Sequence, residues 1–156
     1  MSGDQIPAGI AGAFDAKMFM KIVKRLGHSA ALGIDYVAHG EDWAELVLPY
    51  APHLVGDAET GIMASAPIIS LMDMATSIAT WNKRGCFVPQ ATLDLRVEYI
   101  RPAVPGRAVY GRGECHRTTR SIAFVRGMAH DGNPRDPVAH VTGTFMATAP
   151  AEPRSG

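Results

Sequence analysis

The chain has only two cysteines, no net charge and no basic run at its start, and each shortage excludes something. Cys86 and Cys115 make neither a metal-ligand spacing nor a disulfide framework. Two free thiols suit a reducing cytosol, so a cytoplasmic location is expected. Lys and Arg number 15, and so do Asp and Glu; a nucleic-acid binder usually carries a basic excess, and none is expected as partner. The opening MSGDQIPAGIAG lacks the basic region and apolar run of a signal peptide. The longest weakly polar run, 61–81, holds Asp73 at its middle and Pro67 near its start. A central Asp is costly in lipid, so the run reads as a buried helix and no membrane contact is expected. There is no Gly-x-Ser-x-Gly elbow, phosphate-binding loop, dinucleotide fingerprint or His-Glu-x-x-His. Neither a cofactor nor a metal is expected.

What is present suits a packed core: hydrophobic residues make up 47% of the chain and charged residues 19%. We expect one domain over 13–148, between a flexible leader 1–12 and a flexible tail 149–156. Phe14, Met18, Ile22 and Leu26 recur at a helical spacing, with Gly27 as the stop, which predicts a helix over 14–26. Two strands follow at 32–38 and 43–48, the second with Ala44, Leu46 and Leu48 on one face. A long helix is expected over 66–84, capped by Ser65, with Pro67 in its first turn and Gly85 after its end. Four strands complete the chain at 92–100, 108–116, 121–130 and 138–147. In the first of them Leu93, Leu95, Val97 and Tyr99 alternate with Thr92, Asp94, Arg96 and Glu98. Gly111 and Gly113 read as a place of close packing. Hairpin-linked strands plus one long helix predict an α+β fold, an antiparallel sheet with the helix on one face.

The long helix carries the most information. Ile68, Ile69, Leu71, Met72, Met74, Ala75, Ile78 and Ala79 leave little of its circumference polar. A helix apolar all round must be buried all round, and one sheet covers only one side. The simplest second cover is another copy of the chain in a two-fold dimer. Asp73 stands inside this helix, with Thr76, Ser77 and Thr80 following at helical spacing as a polar stripe. A carboxylate in a dry site must be hydrogen-bonded. Asp73 therefore reads either as a structural carboxylate or as a catalytic one. None of the six histidines has a partner readable in the sequence; His28, His39 and His53 fall in expected loops. Charge is split along the chain: no Lys or Arg lies between Arg25 and Lys83, whereas 83–126 is rich in arginine.

The segment GIMASAPIISLMDMATSIA, followed by ATLDLRVEYIRPAVPG, resembles the hotdog-fold acyl-CoA thioesterases, most of all the branch named for phenylacetate degradation. The resemblance rests on Leu71-x-Asp73-x-Ala75 and on the run from Tyr99 to Ala103. It implies a hotdog fold, an antiparallel sheet wrapped around one long central helix, here with an extra N-terminal helix. It also implies an active site at a homodimer interface, with a dimer of dimers as a further assembly, and acyl-CoA as substrate. In such enzymes a carboxylate at the place of Asp73 activates water or attacks the thioester. A backbone N–H at the helix start, here that of Ser65 or Ala66, polarises the carbonyl. Ser77, one turn on, and Thr92 of the facing subunit assist. The family's His-Gly-Gly falls on Ala64-Ser65-Ala66, followed by Pro67, and its Asn falls on Ala58, so the site is a variant one. That departure motivates an alternative, a non-catalytic acyl-CoA-binding protein acting as sensor or carrier. Under the thioesterase reading Arg117 and Arg120 first, and Arg101 with them, are expected to bind CoA phosphates.

Overall fold

The structure, a computed structural model, describes residues 13–148; the expected leader and tail lie outside them. Helix α1 covers Ala16–Val23 and is capped by Asp15, whose Oδ1 accepts the Met18 N–H at 2.9 Å. The chain then turns into a second helix, α2, over Gly27–Leu32. The single helix expected over 14–26 is thus two. Gly27, at φ 50°, opens α2 instead of ending α1, and Gly33, at φ 72°, supplies the left-handed stop. The first strand accordingly starts later than expected. Strand β1 is Asp35–His39 and β2 is Trp43–Leu48. A 3-10 turn at Pro52–Leu54 and two short strands, β3 (Val55–Asp57) and β4 (Ile62–Met63), lead into α3, Ser65–Arg84. Strands β5 (Gln90–Tyr99), β6 (Val109–Thr118), β7 (Ile122–His130) and β8 (Ala139–Ala147) follow.

Six strands form one antiparallel sheet in the order β1-β2-β6-β7-β8-β5. The helix α3, about 30 Å long at the usual rise per residue, lies across its inner face. Leu71, Met72, Ala75, Ile78 and Ala79 point into the sheet and are buried, as are Ala44, Leu46 and Leu48 of β2. The helix comes closest at Gly113 of β6, where a Cβ would sit 2.7 Å from the Thr76 nitrogen. The expected close packing at this glycine is therefore between strand and helix. The N-terminal segment covers the C-terminal half of α3 through rings: Phe14, just before α1, meets Trp81 at a tilt and Phe19 of α1 meets it edge-on, while Phe87 packs on it from the other end of the turn after α3. The Trp81 indole N–H donates to the Val88 carbonyl at 2.7 Å. Helix on sheet, wrapped from the inside, is the α+β hotdog architecture.

The helix is not covered on every side. Ser65, Ala66 and Ile69 are exposed and Asp73 is half-buried, and together they make an open strip along the N-terminal half of α3. Beside the strip runs β5, an edge strand with Leu93, Tyr99 and the following Ile100 exposed. No helix among the described residues is long and apolar enough to cross a membrane. Cys86 and Cys115 are unpaired.

Candidate active site

Asp73 sits on the open strip of α3, and its nearest polar partner comes from β5. The Thr92 hydroxyl donates to Asp73 Oδ1 at 2.8 Å. Strict alternation would have placed Thr92 on the outer face with Asp94, Arg96 and Glu98. A bulge changes this. Thr92 pairs with Phe145 but Asp94 pairs with Thr144, so Leu93 is an extra residue. Cross-strand partners share a face, and Phe145 is buried toward the helix. The inserted residue flips Thr92 onto the helix side. Gly143 makes room for the bulge: a Cβ there would lie 2.5 Å from the Asp94 carbonyl oxygen. The resemblance gave this hydroxyl to the facing subunit; the Thr92 that reaches Asp73 belongs to the same chain.

The rest of the polar stripe behaves differently from expectation. Thr76 and Thr80 are fully buried, and their hydroxyls donate to the carbonyls of Met72 and Thr76 at 2.7 and 3.1 Å. They satisfy themselves on the helix backbone, Thr76 also donating to the Asp73 carbonyl at 3.2 Å, as threonines in helices do, and do not bond the Asp73 carboxylate. Ser77 is buried one turn beyond Asp73, close to the start of β5, whose Gln90 amide donates to the Ser77 carbonyl at 3.2 Å.

At its N-terminus α3 begins one residue earlier than expected. Ser65 is its first residue rather than its cap, and Ala64 precedes it with no side-chain hydrogen bond to the helix. The backbone N–H groups of Ser65 and Ala66 point out of the helix start, while Pro67 has none to give. The Ser65 carbonyl accepts the Tyr99 hydroxyl at 3.0 Å, which ties β5 to the helix start. Burial pushes the Tyr99 phenol above its ordinary range. An apolar groove of about 320 Å³ opens here, lined by Ile62, Ile68, Tyr99, Ile100 and Val138 beside Ser65. A hollow of about 370 Å³ on the outer face of the sheet is a different matter. Its Arg126 and Glu114 pair with each other at 2.8 Å, and the sheet separates it from Asp73.

The three arginines expected to bind phosphate part company. Arg101 is occupied. Its guanidinium grips Asp131 through two bonds of 2.7 and 2.8 Å, lies 3.1 Å from the Asp136 carboxylate and donates to the Asp136 carbonyl. Asp131, its side chain only 2% exposed, also accepts the Val104 N–H. The guanidinium holds the Asp131 carboxyl well below the usual carboxylate range. Arg101 is a loop clamp with both terminal nitrogens bonded; its buried Nε makes no hydrogen bond, and the side chain borders the groove at the start of α3. Arg117 and Arg120 are exposed at the β6–β7 turn, and among the described residues neither has an acidic partner within ion-pair distance. No cluster of three or more metal-ligating side chains occurs among the described residues.

A long helix inside a curled antiparallel sheet defines the hotdog class, here with a carboxylate, Asp73, on the open strip of the helix. Residues 61–138 match the thioesterase superfamily. A Pseudomonas aeruginosa protein of known structure is 36% identical, over 85% of this chain and 96% of its own, with a TM-score of 0.74. The chain belongs to the thioesterase superfamily, whose general activity is the hydrolysis of thioesters. A variant of the phenylacetic acid degradation protein PaaI from Thermus thermophilus is 25% identical, over 76% of this chain and 96% of its own, with a TM-score of 0.65. A thioesterase from Haemophilus influenzae, 17% identical, shares the fold over 92% of this chain and 96% of its own, with a TM-score of 0.76. These relatives differ among themselves, and the phenylacetate-degradation branch is not singled out by them. No curated protein matches the chain.

Proposed function

We propose that the protein is an acyl-CoA thioesterase whose active site is assembled from two copies of the chain: the start of α3 from one and Asp73 with Thr92 from the other. The observation that carries this is a distance. Asp73 lies seven residues after Ala66 and eight after Ser65, which at the helical rise is about 10–12 Å. The N–H groups point past the helix start, so a carbonyl bound there lies farther away still. A carbonyl, one attacking water and a carboxylate in contact span only about 7 Å. One helix cannot supply both groups to one thioester. Two antiparallel copies can, and the exposed edge of β5 with Leu93, Tyr99 and Ile100 favours such a neighbour.

In this reading the Ser65 or Ala66 N–H polarises the thioester carbonyl and holds the developing oxyanion. Asp73 takes a proton from water, whose oxygen attacks the carbonyl carbon, or attacks directly. The Thr92 hydroxyl fixes Oδ1 of the carboxylate and leaves Oδ2 for the water. Ser77 lines the floor, the apolar groove at the helix start takes the acyl group, and Arg117 and Arg120 meet the phosphates. The test is a panel of acyl-CoAs with free-thiol detection: the wild type releases thiol and Asp73→Ala does not. Equal rates in the two remove Asp73 from the chemistry. The Ala64-Ser65-Ala66 start supplies no side-chain group to a substrate beyond one hydroxyl, which favours a second reading, a non-catalytic acyl-CoA-binding dimer. Binding of CoA esters without turnover across short, long and aromatic acyl groups is its signature.

A further inference from the structure

Helix α2 brings a histidine to the strip that carries Asp73. His28, expected in a loop, is on α2, and its Nε2 lies 2.9 Å from the Ser70 hydroxyl of α3. Ser70 stands three residues before Asp73 on the same open strip, so the two Cβ atoms are about 5–6 Å apart. His28 is exposed and Ser70 and Asp73 are half-buried, so all three are within reach of a ligand lying on α3. Among the described residues His28 is the one imidazole bonded to this helix. The other bonded rings are held elsewhere: His39 by Tyr36, His53 by the Ala31 carbonyl and His130 by Glu45.

The hydrogen bonds also fix which ring nitrogen is free. The Ser70 hydroxyl donates its one hydrogen to the Ala66 carbonyl at 3.2 Å. Toward His28 it can then only accept, so Nε2 carries a proton and Nδ1 is the open basic atom. Imidazole is the side chain that takes and gives protons near neutral pH. We propose that His28, tethered by Ser70 one turn from Asp73, is a second acid–base group of the thioesterase site and protonates the departing sulfur. The inference rests on the thioesterase reading above. As water attacks, its oxygen bonds to the thioester carbon and its proton goes to Asp73. The C–S bond then breaks and its electron pair leaves on sulfur. The imidazolium gives its Nδ1 proton to that sulfur; Asp73 then releases its proton to bulk water, and the exposed ring takes one up from it. One carboxylic acid and one thiol result, and both side chains return to their starting state.

The experiment compares wild type, Asp73→Ala, His28→Ala, His28→Gln and Ser70→Ala on an acyl-CoA that the wild type hydrolyses, with and without added imidazole. In His28→Ala, kcat falls about tenfold or more while KM changes little, and free imidazole restores much of the loss. His28→Gln, whose amide N–H can keep the bond to Ser70 but has no proton to transfer, stays as slow as His28→Ala. Ser70→Ala falls by a smaller factor. Full activity in either His28 variant overturns the inference, and so does a loss that imidazole leaves unchanged, because that is the mark of a structural role. Loss in Asp73→Ala with full activity in His28→Ala overturns it while leaving the thioesterase reading intact. A wild type that hydrolyses no acyl-CoA overturns both.

Discussion

Two inactive variants, mixed, should regain activity. Asp73→Ala keeps the start of α3 and loses the carboxylate. Ala66→Pro keeps the carboxylate and removes a backbone N–H in the first turn, where proline is tolerated. Each alone is expected to lose at least about a hundredfold in kcat, the usual effect of deleting an oxyanion donor. In a mixed dimer, the site formed by the helix start of the Asp73→Ala chain and Asp73 of the Ala66→Pro chain is whole, while the other site lacks both groups. Random exchange makes half the dimers mixed, each with one working site of two, so a 1:1 mixture should reach about one quarter of wild-type turnover. Mixed dimers purified with two different tags should reach about one half. The separation of about 10–12 Å along one helix demands this result. Coexpression followed by thiol-release kinetics measures it; circular dichroism and light scattering establish that the variants are folded and paired. Should Ser65 be the donor, Ser65→Pro replaces Ala66→Pro. Purified mixed dimers no more active than their parents would refute the two-copy site.

Other consequences are nearer to single bonds. Thr92→Val should lower kcat about tenfold or more with the fold intact, since a hydrogen bond to a charged group contributes about 1.5–3 kcal/mol; steady-state kinetics at fixed pH checks it. Gly143→Ala places a Cβ against the Asp94 carbonyl and should cost about 1–3 kcal/mol by urea unfolding; an unchanged midpoint counts against the bulge as described. Asp131 has its carboxyl depressed by Arg101, so its contribution is complete above the ordinary carboxylate value of about 4 and fades as the pH falls below it. Asp131→Asn should therefore be destabilised by about 3 kcal/mol at pH 7, with the gap to wild type narrowing progressively in acid; a constant gap down to acid unfolding refutes the clamp. Arg117→Ala/Arg120→Ala should raise KM for an acyl-CoA but not for a short thioester without the nucleotide; equal effects on both remove these arginines from phosphate binding.

Much of the fold was legible because its signals are local. The alternation of Ala44, Leu46 and Leu48 and the apolar run of the long helix report burial directly, and both elements fall where they were expected. The N-terminal segment misled because a helical spacing of apolar residues continues across a break: Leu26 keeps the spacing but is exposed and precedes α2. A glycine with positive φ can open one helix as readily as it closes another. The arginine-rich segment 83–126 looked like a ligand surface, yet Arg96, Arg101, Arg112 and Arg126 spend their charge on acidic partners. Those partners are separated from them by 2 residues in one case and by 67 in another, the bridge from Arg112 to Glu45, and only the shorter separation is visible along the chain.

By itself the sequence determined an α+β fold of antiparallel strands and one long helix, with the hotdog class implied by resemblance, and it singled out Asp73, because a lone carboxylate in an apolar helix is an anomaly of composition that needs no coordinates. Tertiary structure decided what surrounds it. Side chains on a strand alternate with a strict period of two, so one inserted residue, Leu93, reverses the face of every residue on one side of it. That reversal carries Thr92 to Asp73, and neither Gly nor Pro in β5 announces it; the only trace is Gly143 on the neighbouring strand. The meeting of His28 with Ser70 is likewise a property of packing, since 42 residues separate them and nothing local connects the two.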